Sequence, residues 1–280
     1  MEKLSMLSHP LFIALINSLS LLLIFVPTLI GKYSHLQPFR RGFFCDDESI
    51  RYPNNKSTVS FNLVWIIGVG IPLGIIVLTE IFHQRENLIR KSNVYRNLPV
   101  VIMNCYTFCG IFFFGVGFDQ SLTNLTKFVI GRLRPHFLDA CKLDISKLNC
   151  SDHAYVYIEN SACAEKSARA LKHMRMSFPS GHSSLSAYGA VAFTIYLTKR
   201  WNLGHFQILR VLIQILYIGL AIMCGFSRIS DYKHHWSDVA YGMCSGTVVA
   251  IVIWYVFLRV NVDEEVTNGK RHQVDEELMA

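Results

Sequence analysis

Residues 239–258 read VAYGMCSGTVVAIVIWYVFL, a run without a charged side chain. Two further runs, LFIALINSLSLLLIFVPTLI at 11–30 and LPVVIMNCYTFCGIFFFGVGF at 98–118, are equally free of charge. About 20 consecutive apolar residues match the thickness of a bilayer core. Because a backbone in lipid must satisfy its own hydrogen bonds, these runs predict transmembrane helices.

Three weaker apolar runs complete a set of six: 61–82 with Glu80, 183–198, and 208–226 with Arg210. The chain of 280 residues is 51% hydrophobic and only 17% charged, which is less charge than soluble domains carry. The sequence therefore predicts an all-α integral membrane bundle of six transmembrane helices. The first run is too long for a signal-peptide core, so we expect it to be a retained anchor.

No linker divides the chain, and the simplest interpretation is one membrane domain over residues 1–258. The segment 259–280, RVNVDEEVTNGKRHQVDEELMA, is polar and mixed in charge. This composition favours a disordered C-terminal tail, with a short helix as the alternative.

Six spans would place both termini on one side of the membrane, which leaves the loops 31–60, 119–182 and 227–238 together on the other side, here called side A. Side A holds four of the eight cysteines, namely Cys45, Cys141, Cys150 and Cys163. Their pairing is open, since four cysteines allow three arrangements. The other four cysteines lie inside the predicted spans.

All three glycosylation sequons also lie on side A, and Asn149 is the best candidate for modification. Cysteines and sequons both favour an extracellular or lumenal side A, with cytoplasmic termini. Lysine and arginine are nevertheless more frequent on side A, mostly in the long loop 119–182, where the positive-inside rule is weak. An anionic substrate would explain this excess of positive charge.

The first unusual segment on side A is KFVIGRLRP at 127–135. A spacing of seven would place Lys127 and Arg134 on one helix face, with Pro135 ending the helix. Lysine and arginine offer a point charge and a planar fork of donors for phosphate oxygens. The alternative is ordinary anchoring of basic side chains at the membrane edge.

The second segment, Pro179-Ser180-Gly181-His182, directly precedes the fourth predicted span. Serine suits the N-cap of a helix, and the free N–H groups of a helix start bind anions. Gly181 would let an oxygen approach the backbone. His182 could then act as a general acid or base, or simply sit beside a plain helix cap.

The third segment, residues 227–238, reads SRISDYKHHWSD. Arg228 is a third cation suited to phosphate. His234 and Asp238 are four residues apart, and on a helix this spacing would bring the carboxylate to the imidazole. A carboxylate that orients an imidazole makes its other nitrogen a better nucleophile. A polar helix cap is the alternative.

We expect no metal at this site. Zinc-type spacings of cysteine and histidine are absent from the sequence, and Lys127, Arg134 and Arg228 would repel a cation. Three fixed positive side chains could neutralise a phosphate in place of magnesium.

Together, K-x6-R-P, P-S-G-H and S-R-x5-H-x3-D resemble the tripartite signature of the lipid phosphate phosphatases, also called type-2 phosphatidic acid phosphatases. The motifs occur in the family's order, and the resemblance covers essentially the whole chain. It implies an active site at one membrane face, no cofactor, and a phosphohistidine intermediate. The implied catalytic residues are His234 as nucleophile, Asp238 as its orienting carboxylate and His182 as general acid and base. The implied phosphate-binding residues are Lys127, Arg134, Arg228, Ser180, Gly181 and Ser227.

The resemblance also implies the substrates phosphatidate, lysophosphatidate, sphingosine 1-phosphate and ceramide 1-phosphate, which are dephosphorylated in phospholipid metabolism and signalling. The expected partners are these lipids and the bilayer of the plasma membrane or an endomembrane, with no nucleic acid and with homo-oligomers as an open option. Three rivals remain: a glucose-6-phosphatase or polyprenyl diphosphate phosphatase, a catalytically silent relative that binds lipid phosphates or proteins, and a channel or transporter. The presence of His182, His234 and Asp238 argues against the silent relative, and charges at span ends argue against a pore.

Overall fold

The computed structural model describes residues 10–33, 36–90, 94–142, 156–159, 163, 167–201 and 207–279. Helices dominate these residues. Their bounds are α1 Pro10–Tyr33, α2 Phe61–Trp65, α3 Ile71–Arg90, α4 Val94–Ile130, α5 Phe137–Cys141, α6 Ala168–Met174, α7 Gly181–Arg200, α8 Gln207–Ser230 and α9 Trp236–Met279. A π-helical turn, Ile66–Gly70, joins α2 to α3 without a break, and a short 3₁₀ turn covers Glu48–Ile50.

Each of the six apolar runs lies within a helix, so the all-α prediction is confirmed in outline. Within the described residues, four segments are long and apolar enough to cross a membrane: Phe61–Phe82, Val101–Ile130, Gln207–Ser230 and Trp236–Phe257. The apolar stretch of α1, Leu15–Gly31, is shorter. The count of six spans stays a prediction.

Helix α7 forms the centre of the bundle, and most of its residues are buried. Small residues let its neighbours approach closely. A Cβ on Gly189 would overlap the carbonyl of Gly68, and a Cβ on Gly246 would overlap the carbonyl of Ser184. Small residues at helix contacts are typical of membrane bundles. Because protein rather than lipid surrounds α7, the helix can carry serines that a lipid-facing helix would avoid.

A small cap covers the end of the bundle where α7 begins. Strands β1 (Phe43–Phe44) and β2 (Tyr157–Ile158) pair antiparallel, which adds a minor sheet to the all-α prediction. A disulfide joins Cys141 to Cys163, and Cys45 is also disulfide-bonded. The free cysteines of the described part, Cys105, Cys109, Cys224 and Cys244, all lie within the predicted spans. Among the described cysteines, those expected on side A are therefore disulfide-bonded, and those in the predicted spans are free thiols.

The opposite end of the bundle contains a buried ion pair. Glu80, fully buried, accepts hydrogen bonds from Nε and Nη2 of Arg200 at 2.8 and 2.6 Å. The hydroxyl of Tyr196 donates to the same carboxylate at 2.9 Å. An unpaired charge in this position would be strongly destabilising. The single acid of the second apolar run is thus a structural contact between α3 and α7.

The C-terminal segment differs from the favoured expectation. Helix α9 continues from the membrane-spanning stretch to Met279 and therefore includes nearly all of the predicted tail 259–280. The segment contains no proline and four glutamates, and glutamate propagates a helix once it has begun.

Candidate active site

The first motif is split by a helix end. Lys127 lies in the last turn of α4, which ends at Ile130 rather than at Pro135. Gly131 adopts φ +58°, and its N–H donates to the carbonyl of Lys127 at 3.1 Å, as in a glycine C-cap. The expectation that Lys127 and Arg134 share one helix face is therefore wrong, because the left-handed residue turns the chain before Arg134.

Arg134 is held in the loop after this turn. Its Nε donates to the carbonyl of His173 at 2.9 Å, and its Nη1 donates to the carbonyl of Lys233 at 3.3 Å. The second contact ties the first motif directly to the third. The chain thus brings Arg134 to the site by loop packing rather than by helical periodicity.

The second motif forms the predicted helix start. Ser180 is the N-cap of α7, and its hydroxyl accepts from the N–H of Ser183 at 3.4 Å. A Cβ on Gly181 would lie 3.1 Å from Nζ of Lys127, so this ammonium sits directly against the first residue of α7. A positive charge beside free helix N–H groups makes a favourable anion site.

Arg228 lies in the last turn of α8 and is almost completely buried. Its Nε and Nη2 donate to the hydroxyl of Ser227 at 3.1 and 3.0 Å, and Nη2 also donates to Asp231 at 2.8 Å. Asp231 in turn accepts from the N–H and hydroxyl of Thr58 at 2.8 and 2.7 Å. A loop from the N-terminal part of the chain therefore fixes the counter-ion of Arg228.

The end of α8 has a left-handed residue that is not glycine. Tyr232 has φ +55°, and the N–H groups of Tyr232 and Lys233 return to the carbonyls of Ile229 and Arg228 at 2.9 and 3.0 Å. This is a Schellman-type cap. The ring of Tyr232 stacks on Tyr52 at 4.5 Å between centroids. The packing stabilises an unfavourable backbone conformation that aims the following residues at the site.

His234 lies in this loop, before the first residue of α9, and its side chain is 3% exposed. The expectation that His234 and Asp238 share a helix is therefore wrong. Nδ1 of His234 lies 3.7 Å from Oδ2 of Asp238, beyond hydrogen-bond distance. Nδ1 of His235 lies 3.2 Å from the same oxygen, and the N–H of His235 donates to it at 3.0 Å.

Asp238 is the hub that joins all three motifs. Its buried carboxylate accepts from Nη1 of Arg132 and from the hydroxyl of Ser177, each at 2.6 Å. Its backbone carbonyl accepts from the N–H of Ser180 at 3.0 Å. The third residue of α9 therefore anchors the loop of the first motif and the helix start of the second.

His182 lies in the first turn of α7, with its ring 5.2 Å from that of Phe61. Its Nε2 is buried and finds no hydrogen-bond partner among the described residues. The same is true of Nδ1 of His234. A buried imidazole nitrogen without a partner is costly, so Nε2 of His182 is available to a ligand oxygen, whereas Nδ1 of His234 faces Asp238.

The site lowers the basicity of both histidines. The pKa of His234 is lowered to about 3, first by burial and then by Arg134, against the opposing carboxylate of Asp238. The pKa of His182 is also lowered to about 3, by burial and then by the surrounding cations, Arg228 first. Both rings are therefore neutral at neutral pH as long as no anion offsets the surrounding cations. A bound phosphate would raise both pKa values by offsetting the cations.

The structure thus brings together Lys127, Arg134, Arg228, the Ser180–Gly181 turn and the two histidines. Sequence reasoning missed Arg132, Ser177 and His235 as partners of Asp238, and Asp231 as the partner of Arg228. A buried carboxylate accepts several hydrogen bonds, so one predicted histidine partner was too few for Asp238.

Asn149 lies outside the described residues. No cluster of three or more metal-ligand side chains occurs in the part of the chain that the structure describes.

A cage of three cations and helix N–H groups around two neutral imidazoles suits an anion that carries several charged oxygens. One imidazole can attack such an anion and the other can move a proton. The arrangement therefore fits phosphoryl transfer, in which catalysis is mostly positioning and charge stabilisation.

Comparison with known proteins gives concordant matches. The family model described as the PAP2 superfamily matches residues 108–261. Phospholipid phosphatase 1 of Rattus norvegicus is 41% identical over 240 residues, which are 85% of this chain and 82% of that protein. Phospholipid phosphatase 2 of Homo sapiens is 36% identical over 222 residues, which are 78% of this chain and 74% of that protein.

A Drosophila melanogaster relative is longer: the 231 matched residues are 40% identical and make up 78% of this chain but 61% of that protein. Among solved structures, a transmembrane PAP2-type phosphatidylglycerolphosphate phosphatase from Bacillus subtilis covers 74% of this chain and 94% of its own, with 19% identity and a TM-score of 0.34. The structural likeness carries no argument at this level. The family match over more than half of the chain, together with the rat and human relatives, shows that the chain belongs to the PAP2 superfamily.

Proposed function

We propose that this chain is an integral membrane lipid phosphate phosphatase that releases inorganic phosphate from phosphatidate, lysophosphatidate, sphingosine 1-phosphate and ceramide 1-phosphate. The observation that carries the proposal is the cationic cage of Lys127, Arg134 and Arg228 around two buried, neutral histidines at the end of an apolar helix bundle. Such a site can bind the phosphate of a lipid at the membrane interface while the lipid tails stay in the bilayer. The names of the rat and human relatives support the same activity.

In the proposed first step, the Nε2 atom of His234 attacks phosphorus, a nitrogen–phosphorus bond forms, and the bond to the lipid oxygen breaks. His182, protonated when the phosphate is bound, gives its proton to the departing alkoxide. The lipid alcohol leaves and a phosphohistidine remains. Splitting the displacement in this way replaces one difficult step by two easier ones.

In the second step, His182 takes a proton from water while the water oxygen attacks phosphorus. The bond to His234 breaks, and inorganic phosphate leaves. Asp238 stabilises the positive charge that His234 carries in the intermediate, although their 3.7 Å separation must shorten for a hydrogen bond. The three cations would hold the phosphate oxygens in place of magnesium, so we propose a metal-independent enzyme.

The test is phosphate release from phosphatidate in mixed micelles with EDTA present. We expect the parent chain to be active, His234→Ala to be inactive and His235→Ala to keep measurable turnover. Acid-labile phosphate should label the parent and not His234→Ala. Activity in His234→Ala would remove this residue as nucleophile, and an inactive parent would contradict the lipid substrates and direct the assay to polyprenyl diphosphates.

We further propose that the site faces the extracellular or lumenal side and that the termini are cytoplasmic. The disulfide between Cys141 and Cys163 supports this, because disulfides persist in oxidising compartments. Glycosidase treatment should shift the gel mobility of the native protein and not of Asn149→Gln. An unchanged mobility of the native protein would count against this orientation.

A further inference from the structure

An apolar cavity of about 280 Å³ lies between α8 and the helix that begins at Phe61. Leu63 and Ile67 line it on one side, and Leu220 and Met223 line it on the other. Both helices are among those long and apolar enough to cross a membrane. Leu63, Leu220 and Met223 are all exposed, so the cavity opens sideways to the surface that would face lipid.

One end of the cavity reaches the phosphate cage. Thr58 and Ser227 line this end, and their hydroxyls bond Asp231 and Arg228 respectively. Ser227 accepts from Arg228, while Thr58 holds Asp231. The lining thus changes from hydroxyls near the cage to aliphatic side chains further away. A phosphorylated lipid changes in the same order, from a polar headgroup to an apolar chain.

The cavity also begins beside the proposed general acid. Val59 and Cys224 both line it, and the His182 side chain interacts with the backbone of Val59. The thiol of Cys224 lies 4.0 Å from the carbonyl of His182. In the proposed reaction, the oxygen that receives the proton from His182 is the one attached to the lipid. The hydrocarbon chain of the bound lipid must therefore extend from the phosphate on the His182 side, which is where the cavity starts.

Tyr217 lines the cavity at the end away from Ser227. Its hydroxyl donates to the carbonyl of Ile67 in the π-helical turn, across the space between the two helices. Tyr217 and Ser227 are ten residues apart on α8, which corresponds to a depth of about 15 Å. This depth sets how much of an extended hydrocarbon chain the cavity can hold.

We propose that this cavity binds one hydrocarbon chain of the lipid phosphate, with the headgroup at Ser227 and the chain directed toward Tyr217. The inference rests on the proposed lipid phosphate phosphatase function and adds the residues that select the chain. Because lipid tails and the cavity are similarly apolar, the site contributes orientation rather than affinity. Misplacing the reacting phosphate by about 1 Å can lower the rate by up to about 100-fold.

The test compares Leu220→Trp, which fills the cavity, with Leu216→Trp, one turn earlier on α8. Leu216 is 60% exposed and does not belong to the cavity lining, and Leu220 is 51% exposed, so both substitutions lie on the surface. Two substrates are assayed in detergent micelles: a lysophosphatidate with a long saturated acyl chain, and butyl phosphate, which is too short to pass Ser227.

We expect Leu220→Trp to lower kcat/KM for the long-chain lipid by about tenfold or more, while turnover of butyl phosphate stays within about twofold. Leu216→Trp should leave both values near those of the parent. An equal loss on both substrates, or no loss on either, would overturn the chain site. A parent chain inactive on both substrates would instead overturn the proposed function and, with it, this inference.

A second measurement is independent of turnover. An alkyl phosphate that carries a photoreactive group near the end of its chain is crosslinked to His234→Ala and mapped by peptide mass spectrometry. Labelling near Tyr217, either within residues 207–230 or on the facing residues 61–70, supports the chain site. Labelling confined to other helices overturns it, whatever the catalytic assay shows.

Discussion

Nη1 of Arg132 donates a hydrogen bond of 2.6 Å to the buried carboxylate of Asp238. The same nitrogen donates to the hydroxyl of Ser237 at 2.8 Å, so the guanidinium clamps the first turn of α9. Asp238 would otherwise hold its charge in a buried position with only hydroxyl, amide and imidazole partners. Together with Ser177 and the two neighbouring histidines, Arg132 therefore helps to keep the carboxylate that faces His234 charged and in position.

The substitution Arg132→Met tests this role. A hydrogen bond to a charged group contributes about 1.5 to 3 kcal/mol, so kcat should fall roughly 10- to 100-fold on phosphatidate. The matched control is Arg175→Met, since Arg175 bonds the carbonyl of Arg41 and, among the described residues, no carboxylate. If Arg132→Met keeps the parent's kcat while remaining folded, Asp238 does not depend on this contact.

Gly181→Ala should weaken phosphate binding without unfolding the protein. The added Cβ would lie 3.1 Å from Nζ of Lys127 and displace the ammonium by a few tenths of an ångström. We expect the inhibition constant for vanadate to rise by roughly tenfold. Gly219→Ala is the control, because a Cβ there meets nothing within 4 Å. Equal vanadate inhibition in the two variants would separate Lys127 from the phosphate site.

The stability of the protein should fall on mild acidification, and His136 should account for part of the loss. Burial lowers the pKa of His136 to about 4, although its contact with the carbonyl of Tyr232 opposes the shift. The unfolded chain binds the proton at a higher pH than the folded chain. Stability is therefore fully present above the ordinary histidine pKa and is lost as the pH falls toward 4.

Between pH 7.5 and 5, this histidine should account for about 2 kcal/mol of the free energy of unfolding. His136→Asn keeps a donor for the carbonyl of Tyr232 and cannot titrate in this range. Unfolding in detergent at both pH values should therefore show a smaller acid-induced loss in the variant. Identical losses in parent and variant would mean that His136 is not buried in its neutral form.

Cys141→Ser should destabilise the cap over the site. The disulfide to Cys163 closes a loop of sequence separation 22, and a crosslink of this length contributes about 3 kcal/mol in the chain-entropy description. Cys244→Ser, which removes an exposed free thiol, is the matched control. Thermal unfolding with and without reductant measures the effect. A parent whose unfolding is insensitive to reductant would contradict a structural role for the bond.

The sequence predicts which helices form because uncharged runs leave the backbone few alternatives in lipid. It also singles out Lys127, Arg134, His182, Arg228 and His234, and the structure gathers these residues. The parity of six predicted spans is enough to expect them on one side of the membrane, without any knowledge of side-chain geometry. The catalytic roles assigned to them stay predictions.

The errors concern loops, where periodicity gives no information. Gly131 ends α4 early through a left-handed turn, and a left-handed tyrosine at position 232 delays the start of α9 until after His234. Glycine is a common helix C-cap, so Gly131 was a usable signal, whereas a tyrosine in the left-handed conformation is not one that a sequence shows. The contacts of Asp238 with Arg132 and Ser177 join segments that are 106 and 61 residues apart, and only the folded chain shows them.

The π-helical turn Ile66–Gly70 amounts to one extra residue within the helix from Phe61 to Arg90. One residue corresponds to a rotation of about 100° around a helix axis. The inserted residue therefore sets the direction in which Phe61 points, relative to the deeper part of the helix that packs on α7. In the observed direction, the ring of Phe61 faces His182. Deleting a single residue within the turn would restore a regular helix and swing Phe61 away from the histidine, and the lost ring contact could be followed by the fluorescence of a tryptophan placed at position 61.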